Sequence, residues 1–557
     1  MRTDPPVHWA AHARRPVVVA TVAIVAAVAM LAGCTSSPPS LNAPEGDVTE
    51  TTTPSPPDPA ELAAEVVGRL SDEELVGQVL MPSVSLASDP EDAAALVREY
   101  RLGGVVVMGN VEQQRGGSAT HVRALTDAMR EAAAEFGAEP GIPNLLTATD
   151  QEYGWVTRIT SGMVQLPSAM AFGAAARPDL TEAAWRGAGG ELLAAGINVD
   201  FAPDADVLGP PNNYVIGSRS YGSDPAVAAE QVAAAVRGLQ SAGVAATIKH
   251  FPGHGKTSVN SHVALPVLSQ SREELERHDL VPFRAGIHAG AWLVMSGHLD
   301  VRALDRGVPA SFSSDVLIDL LRDELGFTGV VVSDALNMEP ARRWPPGEAA
   351  VRALVAGNDL LLMPPNLAAA RKGLLDGLAD GSLPRERLRE AVLRVLTLKF
   401  RLAAFDAPDP SRVDLPENWE AARAVAAAAV TVLAGSCSGP LVGDRVRITT
   451  SAGRSQQASW LAEALAAHGI TAGADGDVVH LVGYGDGSSD LSARAAVTVA
   501  MDTPYVLASA RSPVRIATYS STEVAMQALA GFLAGGAPAP GRSPVAVNGL
   551  PDSACAG

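Results

Sequence analysis

The stretch GVVVSDALNM, residues 329–338, carries the pattern on which the fold prediction rests. Three consecutive valines, a residue type that favours extended backbone, lead directly to Ser333 and Asp334. A short apolar run of this kind is typical of a strand buried on both faces of a parallel sheet. The stretch therefore predicts a carboxylate presented at the carboxyl end of a buried strand.

The same pattern recurs along the chain between about residues 60 and 405. Short apolar runs alternate with stretches rich in Ala, Leu and charged residues, which is typical of repeated βα units. The runs occupy residues 105–108, 144–148, 197–201, 245–248, 291–295, 330–332 and 360–363. The polar residues that follow them include Asp150, Asp204, Asp206, Lys249, His250, His298 and Asp334.

This alternation predicts an α/β fold with a (β/α)8 TIM-type barrel over residues 60–405. Such a barrel builds its active site from the carboxyl ends of its strands, where the polar residues above would lie. A doubly wound open sheet is the alternative, because it also places polar residues at strand ends. The large number of units, spread over more than 300 residues, favours closure into a barrel.

A second domain is predicted after the barrel. A helical segment at 385–400 closes the first domain, and residues 407–416 are rich in Pro and Asp, as expected at a boundary. The remaining residues, 417–557, alternate again between strand-like runs at 430–433, 478–482 and 505–507 and helices such as 523–533. We expect a smaller α/β sandwich domain there.

The amino terminus is typical of an exported protein. Arg2, Arg14 and Arg15 precede an apolar run at residues 17–31 that is too short for an ordinary membrane span. The string LAGC, residues 31–34, resembles the bacterial lipobox, so we expect residues 1–34 to be a lipoprotein signal peptide with Cys34 as the lipidated residue. A plain secretory signal or an uncleaved anchor helix is the alternative.

Residues 35–59 are dominated by Ser, Thr and Pro, so they cannot bury enough apolar surface to fold and are predicted to be a disordered tether. We expect the body of the protein to face the cell wall or periplasm, attached to the membrane by its lipid anchor. In an exported chain with 3 cysteines, the other two, Cys437 and Cys555, are candidates for a disulfide. A formal net charge of −19 argues against nucleic acid as a partner.

Several motifs carry a family resemblance. KHFPGHG (residues 249–255), NSH (260–262) and GVVVSDALNM (329–338) closely resemble glycoside hydrolase family 3, in particular its β-N-acetylhexosaminidase branch. Further strings follow in that family's order and spacing: DQE (150–152), NVDFAPDAD (198–206), IGSRSYG (216–222), AGND (356–359) and ATYS (517–520). The resemblance covers nearly the whole body and implies a barrel followed by a second domain.

The resemblance also implies catalytic roles. Cleavage of a glycosidic bond with retention needs a nucleophile under the anomeric carbon and a proton donor at the leaving oxygen. Asp334 matches the family's nucleophile, and His262 matches the histidine that serves as acid/base in this branch. The family's usual partner of that histidine is an aspartate, and here the position is Asn260. An amide lacks the charge that stabilises imidazolium, so we expect slower turnover or a shifted pH optimum.

Five residues match the family's sugar-binding positions, where carboxylates and cations hold neighbouring hydroxyls by paired hydrogen bonds. They are Asp150, Arg158, Arg219, Lys249 and His250. Tyr153 and Trp155 stand where the family usually has Gly and Arg, and their rings would either form a stacking platform or narrow the pocket.

The sequence therefore predicts a retaining exo-β-N-acetylglucosaminidase that acts on terminal β-linked N-acetylglucosamine, such as that of peptidoglycan fragments. We expect no cofactor and no metal, because the histidines do not show the spacing of a zinc site. The alternatives are a lipid-anchored sugar-binding protein with little turnover, and a β-glucosidase or glycoside phosphorylase of the same family.

Overall fold

The computed structural model describes residues 57–109, 117–137, 141–209, 213–405, 409–451 and 453–555. The predicted signal peptide, Cys34 and nearly all of the predicted tether lie outside these residues. In the described ranges, no helix is long and apolar enough to cross a membrane. The residues from Pro57 onward form one compact unit.

Eight strand positions form a closed parallel barrel. Seven strands make one continuous sheet. Strand Leu361–Leu362 closes the barrel, because it pairs in parallel with Leu80–Met81 on one side, and Leu360 bridges to Val332 on the other. The strands are Leu80–Met81 with its continuation Ser83–Ser85, Gly104–Met108, Leu146–Thr149, Val199–Asp200, Ala245–Phe251, Leu293–Ser296, Val330–Ser333 and Leu361–Leu362. The prediction of a TIM-type barrel is confirmed.

Helices follow the strands around the outside of the barrel. In chain order they are Pro59–Val67, Asp72–Gln78, Pro90–Tyr100, Ala119–Gly137, Ala169–Ala175, Pro178–Ala194, Pro225–Ser241, Arg272–Glu274, Leu275–Asp279, Leu280–His288, Asp315–Glu324, Pro346–Ala356, Leu367–Asp380 and Arg385–Ala403. Two of them, Leu275–Asp279 and Asp315–Glu324, are π-helical.

The strand residues divide between two apolar cores, because successive side chains of a strand point to opposite faces. Val330 and Val332 belong to the cluster that fills the barrel interior, whereas Val331 belongs to the cluster between the sheet and the helices. Both faces are therefore buried, which is why these strands read as continuous apolar runs.

The second domain contains a six-stranded sheet. Its spatial order is Thr431–Ala434, Val514–Ala517, Val497–Ala500, Asp477–Val482, Arg445–Thr450 and Thr471–Ala472, with only the first pair antiparallel. Helices Ser455–Ala466 and Glu523–Leu533 pack with it. The prediction of a strand at residues 505–507 is wrong: Pro504–Ser509 is a 3-10 helix that starts with proline, and Val514–Ala517 takes the place in the sheet.

The barrel and the second domain share apolar surface. Helix Pro416–Ala429 contributes Ala422 and Val425 to the core around the barrel, and one further cluster combines Ile216 of the barrel with Leu507 of the second domain. Cys437 and Cys555 are joined by a disulfide, with their Cα atoms 5.3 Å apart. The carboxyl-terminal segment is thereby tied to the loop that follows Thr431–Ala434.

Candidate active site

The carboxyl ends of the barrel strands bring the predicted site residues to one mouth. Asp150 follows strand Leu146–Thr149, Lys249 and His250 lie near the end of strand Ala245–Phe251, and Asp334 follows strand Val330–Ser333. Because all these strands are parallel, their last residues meet at the same end of the barrel.

Asp334 is buried, and it is ionised at neutral pH. Its backbone N–H donates to the carbonyl of Ser296 on the neighbouring strand, and its Oδ1 accepts a hydrogen bond from the N–H of Ala335 at 2.8 Å. Burial alone would raise the pKa of Asp334, but the nearby His298 and His250 lower it overall. In the described part of the chain no donor is bonded to Oδ2, so this oxygen is available to an incoming atom.

His262 lies on the exposed loop after strand Ala245–Phe251, next to Asn260 in space as in sequence. The Oδ1 of Asn260 accepts from the backbone N–H of His262 at 2.9 Å and contacts its ring Nδ1 at 2.9 Å. An amide oxygen only accepts, so Nδ1 carries the proton and Nε2 is left with a free lone pair. Partial burial lowers the pKa of His262, and the charge of Asp334 opposes this shift.

A buried ionic cluster occupies one side of the mouth. The Nζ of Lys249 lies 2.9 Å from Asp150 and 2.6 Å from Glu152, and Arg219 forms a paired contact with Glu152 at 2.7 and 2.9 Å. Arg158 contacts the other oxygen of Asp150 at 3.1 Å. Burial opposes the charges of Asp150, Glu152, Lys249 and Arg219, yet the opposite charges keep these four groups ionised.

The charges of the ionic cluster shift the pKa values of its members. Burial raises the pKa of Asp150, but the neighbouring cations lower it by more, so the pKa is lowered overall. In the same way the pKa of Glu152 falls to about 2. Burial lowers and the carboxylates raise the pKa of Lys249, with a net increase. The cluster therefore presents fixed charges to a ligand at neutral pH.

A second group of polar residues orients His250. Both oxygens of Asp206 face this residue: Oδ1 accepts from its backbone N–H at 3.2 Å and from the N–H of His254 at 2.6 Å, and Oδ2 lies 2.8 Å from its ring Nδ1. Burial raises the pKa of Asp206 to about 6 and lowers the pKa of His250. A neutral imidazole that donates through Nδ1 keeps Nε2 as an acceptor in the mouth.

One group among the described residues has the composition of a cation site: Asp204, Asp206 and His250 bring ligand atoms within 4.8 Å of one another. Oδ1 of Asp204 accepts from the N–H of Asp206, whereas its Oδ2 makes no hydrogen bond with a described residue and lies 3.4 Å from Arg219. Asp206 and Asp204 thereby hold His250 and Arg219 in position.

Two further histidines lie close to Asp334. His298 is fully buried, with Nδ1 2.5 Å from the hydroxyl of Ser311 and Nε2 3.0 Å from the carbonyl of Ala335. His254 is also buried, and its ring makes no hydrogen bond within the described residues. Burial lowers the pKa of His254 to about 3, so this imidazole is neutral.

The aromatic residues after Asp150 have different environments. Tyr153 is buried at φ 65° and packs edge-on against Trp185, so of the two alternatives for its ring the stacking platform is wrong. Trp155 is 40% exposed, and one face of its ring stacks on Tyr484 of the second domain, with ring centroids 3.8 Å apart. The second domain therefore reaches the loop that bounds the mouth.

The structure brings together all five predicted sugar-binding residues and Asp334 at the barrel mouth, with His262 and Asn260 on the adjoining loop. Sequence reasoning assigned no role to Glu152, Asp204, Asp206 or His298, which hold these residues in place. One feature of the sequence could have identified Glu152. Asp150 and Glu152 are two carboxylates separated by one residue after a buried strand, and two such charges need cations nearby to be stable.

The fold and the site together define a two-domain barrel enzyme whose polar mouth is suited to a sugar-sized, hydroxyl-rich ligand. Residues 71–398 match the model of the glycosyl hydrolase family 3 N-terminal domain. The chain belongs to this family and is a glycoside hydrolase.

Relatives of the chain agree with this assignment. It is 34% identical over 397 residues to β-hexosaminidase LpqI of Mycobacterium tuberculosis, a match that covers 68% of this chain and 97% of LpqI. It is 33% identical over 339 residues to β-hexosaminidase A of Pseudoalteromonas piscicida, with 56% of each chain covered, so the match spans about half of that relative.

A solved structure matches both domains. The glycoside hydrolase family 3 β-N-acetylglucosaminidase of Paenibacillus sp. str. FPU-7 superimposes with a TM-score of 0.74 at 30% sequence identity. The match covers 86% of this chain and 99% of that chain. The arrangement of a barrel followed by a smaller α/β domain is therefore shared.

The ionic cluster leads to a prediction about stability and pH. We expect Glu152→Gln to lower the free energy of unfolding by about 3 kcal/mol at pH 7, because Lys249 and Arg219 lose a buried partner. The pKa of Glu152 is lowered in the folded state, so its contribution is present above pH 4.5 and is lost as the pH falls towards 2. The penalty should therefore shrink at pH 3.

Urea unfolding of both proteins at pH 7 and pH 3 measures this difference. Glu463→Gln is the matched control, because Glu463 lies on the exposed face of its helix, where its carboxylate accepts a hydrogen bond from the hydroxyl of Ser459 at 3.1 Å. A Glu152→Gln protein as stable as the control at pH 7 would contradict the role assigned to the cluster.

Proposed function

We propose that this protein is a retaining exo-β-N-acetylglucosaminidase that removes terminal β-linked N-acetylglucosamine from peptidoglycan fragments. The observation that carries the proposal is the pairing of an ionised Asp334 at the barrel mouth with an imidazole, His262, whose Nδ1 is held by Asn260. The relatives named β-hexosaminidase and β-N-acetylglucosaminidase support the choice of sugar.

In the first step, Oδ2 of Asp334 attacks the anomeric carbon while the glycosidic bond breaks. The bonding electrons leave with the aglycone oxygen, which takes a proton from Nε2 of the His262 imidazolium. The products are a glycosyl ester on Asp334, a neutral imidazole and the released aglycone. Because Asp334 is ionised at neutral pH, the nucleophile needs no separate base.

In the second step, the neutral Nε2 of His262 removes a proton from water, whose oxygen attacks the anomeric carbon from the vacated side. The ester bond breaks, Asp334 is released as a carboxylate, and the sugar leaves with its original β configuration. The lowered pKa of His262 favours the neutral form that this step requires.

The ionic cluster accounts for substrate binding in this proposal. Asp150, Arg158 and Lys249 offer paired donors and acceptors to neighbouring hydroxyls, while Arg219 and Nε2 of His250, which lie 3.5 Å apart, extend the same surface. Fixed charges that are already paired cost little reorganisation when a ligand binds, so they orient the ring for attack by Asp334.

The nucleophile can be tested directly. We expect the full-length chain to release 4-nitrophenol from its β-N-acetylglucosaminide in preference to its β-glucoside, and Asp334→Asn to reduce kcat about 10³-fold or more. Asp376→Asn is the control, because Asp376 is an exposed partner of Lys372. Preference for the glucoside would indicate a β-glucosidase of the same family. Dependence of the rate on added phosphate would indicate a glycoside phosphorylase.

A wild-type chain that cleaves neither substrate but binds the sugar would favour the alternative of a binding protein with little turnover.

The amide at position 260 leads to a prediction about pH. As an acid His262 must be protonated, so activity falls as the pH rises through its pKa. A carboxylate beside Nδ1 stabilises the imidazolium, so we expect Asn260→Asp to move the alkaline limb of the kcat/KM profile to higher pH. Asn366→Asp serves as control, because Asn366 caps a distant helix and aspartate caps equally well. Identical profiles at every pH would count against His262 as the acid.

We further propose that the chain is exported and anchored through lipid on Cys34. The basic residues, the short apolar run and the LAGC string support this. We expect Cys34→Ala to move the protein from the membrane fraction to the soluble fraction of its host, because attached acyl chains supply the anchoring. Ser36→Ala is the control, and equal partition of both variants would refute the anchor.

A further inference from the structure

A cavity of about 450 Å³ lies between the barrel and the second domain. The barrel contributes the loop around Trp155 and the segment 160–168, and the second domain contributes Tyr484, the start of helix Ser455–Ala466 and residues 519–523. Asp334, His262 and the sugar-binding residues of the barrel mouth do not line it. The cavity is therefore separate from the site described above.

Aromatic rings line the cavity from both domains. Trp155 and Tyr484 stack with an interplanar angle of 14° and together form one wall. Trp419 and Trp460 are half-buried lining residues, and the indole N–H of Trp419 donates to Asp414 at 2.7 Å. Rings of this kind pack against the apolar C–H faces of a pyranose.

The polar groups of the cavity are mainly amides and carboxylates. The Nε2 of Gln165 already donates to two backbone carbonyls, so this residue offers its side-chain oxygen, and Gln457 keeps one N–H beside the one that donates to Ser521. Gln456 supplies both a donor and an acceptor, and Asp414 and Glu523 supply further acceptors. The side chain of Gln456 is exposed and makes no hydrogen bond to another described residue, which leaves both of its polar atoms for a ligand. Hydroxyl and acetamido groups are the partners that such a set satisfies.

The charge of the cavity excludes an anionic ligand. Of the described residues that line it, Arg454 alone is basic. Its Nε and Nη2 each lie 2.9 Å from Asp486, and its Nη2 also donates to the carbonyl of Tyr484 at 2.6 Å. With this guanidinium already neutralised, the nearby carboxylates would repel a negative group.

We propose that this cavity is a second carbohydrate site, which binds an uncharged oligosaccharide of N-acetylated sugars. It adjoins the barrel mouth through two contacts: the hydroxyl of Ser218, the residue before Arg219, donates to Asp502, and Tyr484 stacks on Trp155. A stretch of uncharged N-acetylated sugars held there stays beside the catalytic residues between successive cleavages. The inference goes beyond the proposed function, because it requires binding and not hydrolysis.

The test is calorimetric titration with tri-N-acetylchitotriose of the full-length chain carrying Asp334→Asn, which prevents turnover. We expect two equivalents per chain. Trp460→Ala and, separately, Gln456→Ala should weaken one of them about tenfold or more, whereas Lys249→Ala should remove the other. In the chain with Asp334 intact, Trp460→Ala and Gln456→Ala should leave kcat/KM for the 4-nitrophenyl monosaccharide within about twofold. Trp292→Phe, at a ring that packs on Phe405, is the matched control.

Binding that neither Trp460→Ala nor Gln456→Ala weakens would overturn the second site. A single equivalent that Trp460→Ala abolishes and Lys249→Ala preserves would support the second site while contradicting the catalytic assignment. The two proposals therefore fail in distinguishable ways. Because Gln456 is exposed, its substitution tests the cavity even if Trp460→Ala disturbs folding.

Discussion

The buried ammonium of Lys249 is the constraint on which the barrel mouth depends. It is 2% exposed and lies at the end of one strand, so it needs anions, and these come from the segment after another strand as Asp150 and Glu152. Glu152 in turn holds Arg219, whose loop also contacts the second domain through Ser218. Lys249 contacts both carboxylates and each carboxylate contacts a further arginine, so the sugar-binding residues are fixed as a group rather than individually.

The catalytic nucleophile and the catalytic acid/base lie on different kinds of structural element. The nucleophile and the binding groups sit on strands, where packing on both faces holds them in place, whereas the acid/base is on an exposed loop with a local partner, Asn260. A neutral amide keeps the tautomer of His262 but adds no charge, so the pKa of this imidazole is set by partial burial and by Asp334. Of the four histidines around Asp334, His298, His250 and His262 lower its pKa, which keeps Asp334 ionised although it is buried.

The sequence was sufficient for what local pattern determines. The valine run before Asp334 predicts both the strand and the carboxylate at its end, and the repetition of that pattern predicts the barrel. It was insufficient where distant segments meet. The stacking of Tyr484 on Trp155 joins residues from different domains, and nothing near Tyr153 in the sequence shows that its ring turns inward to Trp185. The error at residues 505–507 has a local cause, because Pro504 starts a helical turn in an apolar segment that resembles a strand.

The central claim is that a sugar becomes covalently attached to Asp334. Incubation with a 5-fluoro N-acetylglucosaminyl fluoride, which forms the glycosyl ester faster than water cleaves it, followed by proteolysis and mass spectrometry, tests this most directly. We expect one adduct of the fluorosugar mass, located on the peptide that contains Asp334. An adduct on another carboxylate, or turnover of the reagent with release of the α-anomer and no adduct, would contradict it.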